Sequence, residues 1–217
     1  GIGGTGSPVA DGTIGIVGVV SGFASVCVNG VEVHFDRATP VSENGDPSSA
    51  DKLAVGQVVS IEASNSPKGL RARDIAILNV LEGPITGMDH GGKTIHVMGQ
   101  AIAISPDTRI GGKGLAVGQM VKVSGLTGAD GAVFATRIQP GHDLKQASIL
   151  GAVDNSGKQS KINGVSVAGA VSGESAMIKG RWNGSELVAK SIAADPTYRF
   201  KDGASRILVE GLVQASD

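Results

Sequence analysis

Residues Leu53–Ile61 read "LAVGQVVSI", and the phrase returns at Leu115–Val123 as "LAVGQMVKV". A phrase repeated at this distance is the mark of a small supersecondary unit used more than once. Other segments recur around it. "LRARDI" (Leu70–Ile75) comes back as "VFATRI" (Val133–Ile138) and as "LVAKSI" (Leu187–Ile192). "VNGVEV" (Val28–Val33) comes back as "INGVSV" (Ile162–Val167), with "VMGQAI" (Val97–Ile102) as a looser copy. "IGIVGVV", "EGPITGM" and "ILGAVDN" open the three units. The domain reading is therefore a glycine-rich leader at 1–11, units at 12–80, 81–143 and 144–204, and a tail at 205–217. The third unit has only "AGAVSGESA" where L-x-V-G stands in the others. In the tail, "RILVEGLV" (Arg206–Val213) reads either as the opening strand of a further unit or as a strand completing the third barrel.

Within each unit the apolar residues alternate with period 2. Val26 and Val28 are followed by Val31, Val33 and Phe35; Ile95 and Val97 by Ile102 and Ile104. This is the pattern of short, half-buried strands. Asn29-Gly30 and Asn163-Gly164 sit between apolar pairs and predict two-residue hairpin turns, because such turns need positive φ. Gly56 and Gly118 are expected at a tight corner leading into the fourth strand. "SADKL" (Ser49–Leu53) predicts one helical turn capped by Ser49 or Asp51. Five short strands per unit indicate an all-β chain of tandem small OB-like Greek-key β-barrels, touching in a string.

The composition limits the function classes. Of 217 residues, 41% are hydrophobic but only 3% aromatic, so the cores are aliphatic. The net charge of −1 gives no pull toward nucleic acid, and the scattered Phe23, Phe35, Phe134, Phe200, Trp182 and Tyr198 offer no stacking platform. No apolar run reaches the ~18 residues of a spanning helix. The single Cys27 excludes an intramolecular disulfide, and only His34 is near it in sequence to act as a base. "GIGGTG" at Gly1–Gly6 has the spacing of a dinucleotide fingerprint but no strand before it and no helical period after it. It reads as a flexible leader, and no cofactor is expected.

The leader, "TIGIVGVVSGFASVCVNGVEVHFD", the threonine of "RATPV", "LAVGQVVSIEA" and "LRARDIAI" together resemble the bacterial DUF5666 family. The resemblance implies small OB-like barrels in tandem, often behind a lipoprotein signal. It thus implies a periplasmic or extracellular cell-envelope setting, with any membrane contact made through a lipid-bearing cysteine before Gly1. It brings no activity and no catalytic or ligand residue.

Two candidate sites stand out locally. His90 and His96, with Asp89, fall across the hairpin "DHGGKTIH" and are the candidate metal ligands. Zinc or copper needs three or four ligands with oriented partners, so surface histidines are the expected state. Trp182, between Arg181 and Asn183, is the candidate partner or sugar anchor, with a core or inter-barrel role expected instead. "ENGDPSSAD" (Glu43–Asp51) is rich in oxygen ligands without EF-hand spacing and reads as a solvated loop. His142-Asp143 reads as a solvated linker. The expected function is a non-enzymatic envelope scaffold whose partners are another envelope protein or copies of itself, with no nucleic acid. The alternative is a module binding glycans or a metal ion.

Overall fold

A computed structural model describes residues 12–22 and 25–200, and the backbone of 206–209. The leader, Phe23 and the rest of the tail lie outside the described residues.

The first unit contributes β1 (Thr13–Gly22), β2 (Val26–Val28), β3 (Val31–His34), β4 (Val41–Glu43), β5 (Asp46–Ser48), β6 (Val58–Ser66) and β7 (Gly69–Leu78). The second contributes β8 (Leu81–Met88), β9 (Thr94–Val97), β10 (Gln100–Ala103), β11 (Arg109–Ile110), β12 (Met120–Thr127) and β13 (Val133–Pro140). The third contributes β14 (Ala147–Asp154), β15 (Lys161–Ile162), β16 (Val165–Ala168), β17 (Ser175–Trp182) and β18 (Leu187–Ala193), and β19 (Arg206–Val209) follows. One-turn 3-10 helices occupy Ala50–Lys52 and Pro196–Phe200. No helix of the described residues is long and apolar enough to cross a membrane.

Each unit closes on itself in the strand order first–second–third–fifth–fourth–first. The circuit is β1-β2-β3-β7-β6 in barrel 1. It is β8-β9-β10-β13-β12 in barrel 2 and β14-β15-β16-β18-β17 in barrel 3. Within each circuit only the third and fifth strands run parallel, which is the closure of an OB-like barrel. The expected hairpin turns are present at Asn29-Gly30 and Asn163-Gly164, and the looser copy folds alike, with Met98 at φ +48 before Gly99. In all three barrels the fifth strand carries one extra residue at the same place in the repeat: Arg73, Thr136 and Lys190. A bulge there bends the strand enough to let a small sheet close.

The "LAVGQ" phrase builds the same device twice. The chain turns so that Gln57 N–H donates to Ala54 C=O at 3.1 Å, and Gln119 N–H to Ala116 C=O at 3.1 Å. Gly56 and Gly118 both adopt φ +88, where a side chain is strained. The glutamine then folds back: its Oε1 accepts from Ala54 N–H at 2.6 Å in barrel 1 and from Ala116 N–H at 3.1 Å in barrel 2. The glycine N–H is stitched to the first strand, Gly56 to Val20 C=O and Gly118 to Ile85 C=O, each at 2.8 Å. Leu53 and Leu115 pack onto the cores below.

Four expectations need correction. The barrels do not form a string, because barrel 1 also touches barrel 3: Val58, Ala76 and Leu78 pack against Leu150 and Met177. Those strands are apolar on both faces, so their outer faces also seek cover. Barrels 2 and 3 share one core cluster, and β8 pairs with β14 at Glu82–Ser148 and Leu81–Ile149. "ENGDPSSAD" is not a free loop but the β4–β5 hairpin turning at Asn44-Gly45, followed by a 3-10 turn whose Ser49 makes no side-chain cap. Last, β19 does not complete barrel 3. It lies parallel to β1 over Ile14–Val17, where β1 has an open edge because β2 pairs only near Val20–Gly22.

Gln57 is buried and serves two backbone groups, its Nε2 also donating to Lys52 C=O at 3.1 Å. Gln57→Leu is expected to cost about 1–3 kcal/mol by stranding them. Gln119→Leu, at a wetter position, should cost less than about 1 kcal/mol. Urea unfolding of both variants gives the comparison.

Candidate functional site

A polar cleft of about 1060 Å³ opens where the three barrels meet. Its walls come from the Glu43–Lys52 region of barrel 1, from Glu82 and Lys122 of barrel 2 with the Gln139–Gln146 connection, and from Lys179 of barrel 3. The β4–β5 hairpin is positioned by β4 running parallel to β7, Val41 beside Ile75 and Glu43 beside Ile77. Its tip then reaches the other two barrels. Glu43 accepts from Lys122 Nζ at 3.3 Å, and Asp46 from Lys179 Nζ at 2.8 Å. One carboxylate therefore meets barrel 2 and the other meets barrel 3.

Between them Asn44 is buried, held at φ +43. Its Nδ2 donates to Asn79 C=O at 2.9 Å and to Ser148 Oγ at 3.0 Å, and its Oδ1 accepts from Asn79 N–H at 2.8 Å. Asn79 continues the network, donating from Nδ2 to Glu43 at 2.9 Å and to Glu82 at 2.8 Å. Its Oδ1 accepts from Ser124 at 3.2 Å. Ser148 Oγ donates to Glu82 Oε2 at 2.9 Å.

Burial pushes the Glu82 carboxyl above its ordinary value; the bonds from Asn79 and Ser148 pull it back, and the nearby charge of Glu43 pushes it up again. Burial works against the Lys122 ammonium, yet Glu43 and Asp143 outweigh it and hold the lysine above its ordinary value. Asp143, bonded to Lys122 at 3.3 Å, is held below the usual carboxylate range: its slight burial opposes this, and its own backbone N–H and Lys122 overcome it.

The residues singled out in sequence lie elsewhere. Asp89 is turned onto its own hairpin, its Oδ1 accepting from Thr94 N–H at 3.2 Å. His90 is exposed beside it, and His96 is half-buried on β9 opposite Ala101. Among the described residues, no group of three or more His, Cys, Asp or Glu is placed to hold a metal. Trp182 ends β17 half-buried, packed against the shared core of barrels 2 and 3. Cys27 is half-buried on β2 between Glu32 and the end of β1. His142 and Asp143 are exposed in the β13–β14 connection, as expected, and there they line the rim of the cleft, Asp143 pairing with Lys122. Sequence reading missed Asn44, Asn79, Glu82, Lys122 and Ser148. The available signal was polarity inside apolar strands: Glu82 in "NVLEGPI", Lys122 in "MVKVSG" and Ser148 in "ASILG".

The fold thus defines a protein of tandem OB-like barrels clamped around a polar junction. The profile of a domain of unknown function, DUF5666, matches residues 15–76 and 82–139, and the chain belongs to that family. The two matched segments are barrels 1 and 2. No curated protein and no solved structure matches the chain.

Asn44→Ala is expected to cost about 2–4 kcal/mol, because it leaves both backbone groups of Asn79 buried without their partner. Guanidinium unfolding measures this. Glu82 supplies a pH test. Its folded pKa lies above the ordinary 4.5, so the folded chain binds the proton more tightly than the unfolded chain. The stability this contributes is full below 4.5 and is lost as pH rises through the folded value. Glu82→Gln should therefore gain on the natural chain as pH is raised from 4 to 8 in urea titrations. A constant difference across that range would refute the assignment.

Proposed function

We propose that this protein is a non-enzymatic cell-envelope scaffold: three barrels fixed as one body whose outer surfaces bind another envelope protein or further copies of itself. The observation that carries this reading is how the ionisable groups at the junction are used. Glu43, Lys122 and Asp143 pair together, Asp46 pairs with Lys179, and Glu82 is held by Asn79 and Ser148. All but Asp143 are engaged in joining barrels, and removing Glu43 or Asp46 would weaken or strip the pairing of a buried lysine. A body braced in this way presents strand edges and scattered exposed apolar residues such as Val117, Ile110 and Phe134 to its surroundings. The envelope setting rests on the family resemblance of the leader and first two units.

A second reading, a ligand-binding module, is favoured by the cleft itself. Its walls are polar, and Lys52, Lys145 and His142 line it alongside the paired groups. A glycan suits such a surface better than a metal.

The scaffold reading predicts a mass above that of the monomer in light scattering, or a reproducible envelope partner on cross-linking of intact cells. A strictly monomeric protein with no cross-linked partner would defeat it. A rise in the unfolding midpoint with oligosaccharides, zinc, copper or calcium would favour the second reading, since a ligand of the folded state stabilises it.

A further inference from the structure

Barrels 1 and 2 each carry a strand outside the five-stranded circuit. β4 runs parallel to β7, placing Val41 beside Ile75. β11 runs parallel to β13, placing Ile110 beside Ile138. Both added strands leave a turn of the same build. Asp36 N–H donates to Thr39 Oγ1 and Ser105 N–H to Thr108 Oγ1, each at 3.0 Å, and a β-branched residue follows two positions later.

Barrel 3 has no such strand among the described residues. β18 pairs with β16 only at Leu187 and Val188, so among the described residues its outer edge is open from Ala189 to Ala193. Ile192 occupies the repeat position of Ile75 and Ile138. It faces Ile178 across the barrel wall, as Ile75 faces Ile61 and Ile138 faces Val123. Ile75 is 1% exposed and Ile138 0%, whereas Ile192 is 55% exposed. Barrel 3 also lacks the leucine that Leu53 and Leu115 supply to the other two.

The edge carries positive charge. Lys190, the bulge residue, and Arg181, on the neighbouring strand beside Val188, are exposed and make no ion pair among the described residues. The segment that fills the equivalent place in barrel 1 sets Val41 beside Ile75 and, ahead of it, pairs Asp36 with Arg71 on the same edge.

We propose that the β18 edge at Ser191–Ala193 is a strand-addition site for an extended segment of a partner protein that runs parallel to β18, sets a valine or isoleucine beside Ile192 and carries an acidic residue ahead of it, toward Lys190 and Arg181. The added strand would extend an interface the molecule already makes twice, with main-chain bonds giving affinity and Ile192 and the cations giving selectivity. This inference rests on the scaffold reading and names the chemistry of its partner.

The probe is an end-blocked peptide of the chain's own residues 36–43, DRATPVSE, titrated into the full chain. Hydrogen exchange should show protection of the Ser191–Ala193 amides. Ile192→Lys, at an exposed position, should weaken binding at least tenfold, and Lys190→Glu at least threefold, with the salt dependence reduced. A peptide with aspartate in place of Val41 should not bind. No protection at millimolar peptide, protection on β7 instead of β18, or equal affinity for Ile192→Lys would overturn the site. Light scattering separates this inference from the reading it rests on. Association of the full chain that survives Ile192→Lys, with no peptide binding, defeats the site and leaves the scaffold. Peptide binding by a chain that stays monomeric and yields no cross-linked partner in cells supports the site and counts against the scaffold. Oligomers that Ile192→Lys dissolves would show a second copy on the edge, overturning the assignment to a separate partner.

Discussion

How barrel 1 sits against the other two is set chiefly by the tip of one hairpin. Glu43, Asn44 and Asp46 are separated by a single two-residue turn, yet they reach Lys122 in barrel 2, Asn79 between barrels 1 and 2, and Lys179 and Ser148 in barrel 3. Barrels 2 and 3 are joined by a shared apolar core, but barrel 1 has little apolar surface left over for its neighbours. The direct apolar contact between barrels 1 and 3 is small, a cluster centred on five buried residues. Such a contact is permissive about angle. Hydrogen bonds and ion pairs are not, because a misplaced tip would leave the Asn44 amide and the Lys179 ammonium buried without partners and strip Lys122 of one of its two carboxylates. The polar clamp therefore sets the geometry, and the apolar contact supplies adhesion. A second tie works in the same direction: Arg199 pairs with Asp74 and donates to Ser60 C=O, while the Phe200 ring lies over Gly15, where a Cβ would meet it.

The fold was legible because its determinants are local. Alternation of aliphatic residues, the Asn-Gly turns and the twice-used "LAVGQ" phrase each specify geometry over a few residues. The repeats then showed that the geometry occurs three times. The junction was illegible for the opposite reason. Asn44 and Ser148 are 104 positions apart, and nothing in the neighbourhood of either names the other. "ENGDPSSAD" has the composition of a solvated loop, and an Asn-Gly pair there is as compatible with exposure as with burial. Only the arrival of Asn79 and Ser148 makes Asn44 a core residue. Glu82 and Lys122 were interruptions in apolar strands, a recognisable signal, but polarity in a strand tells that a partner is required without telling which.

The repeats also show how one sequence element acquires different work. In barrel 1 the Val55-Gly56 corner is pressed against barrel 2: Arg137 Nη1 donates to Val55 C=O at 3.2 Å, and a Cβ on Gly56 would lie 2.7 Å from Thr136 C=O. In barrel 2 the same corner faces outward, with Val117 62% exposed and open space above Gly118. Glycine is needed at both for its positive φ, but only at Gly56 is it also needed for close approach. The local fold of a unit and its docking are thus separable properties, the first fixed by residues within the unit and the second by what the chain brings beside it.

That separation explains why barrel 3 can dispense with the L-x-V-G corner and still close. The corner is not part of the five-strand circuit. It covers the end of the barrel and ties the connection to the first strand. In barrel 3 the connection from β16 to β17 is short and held by other means: Val171 N–H donates to Ser160 Oγ and its carbonyl accepts from Asn155, each at 2.9 Å. Closure survives because the parallel β16–β18 pairing and the bulge at Lys190 are intact. What is lost is cover over one end, and the cost appears at a single residue, Ile192, whose counterparts in the other barrels are buried. A barrel that keeps its circuit but gives up its cap exchanges some apolar burial for an accessible edge.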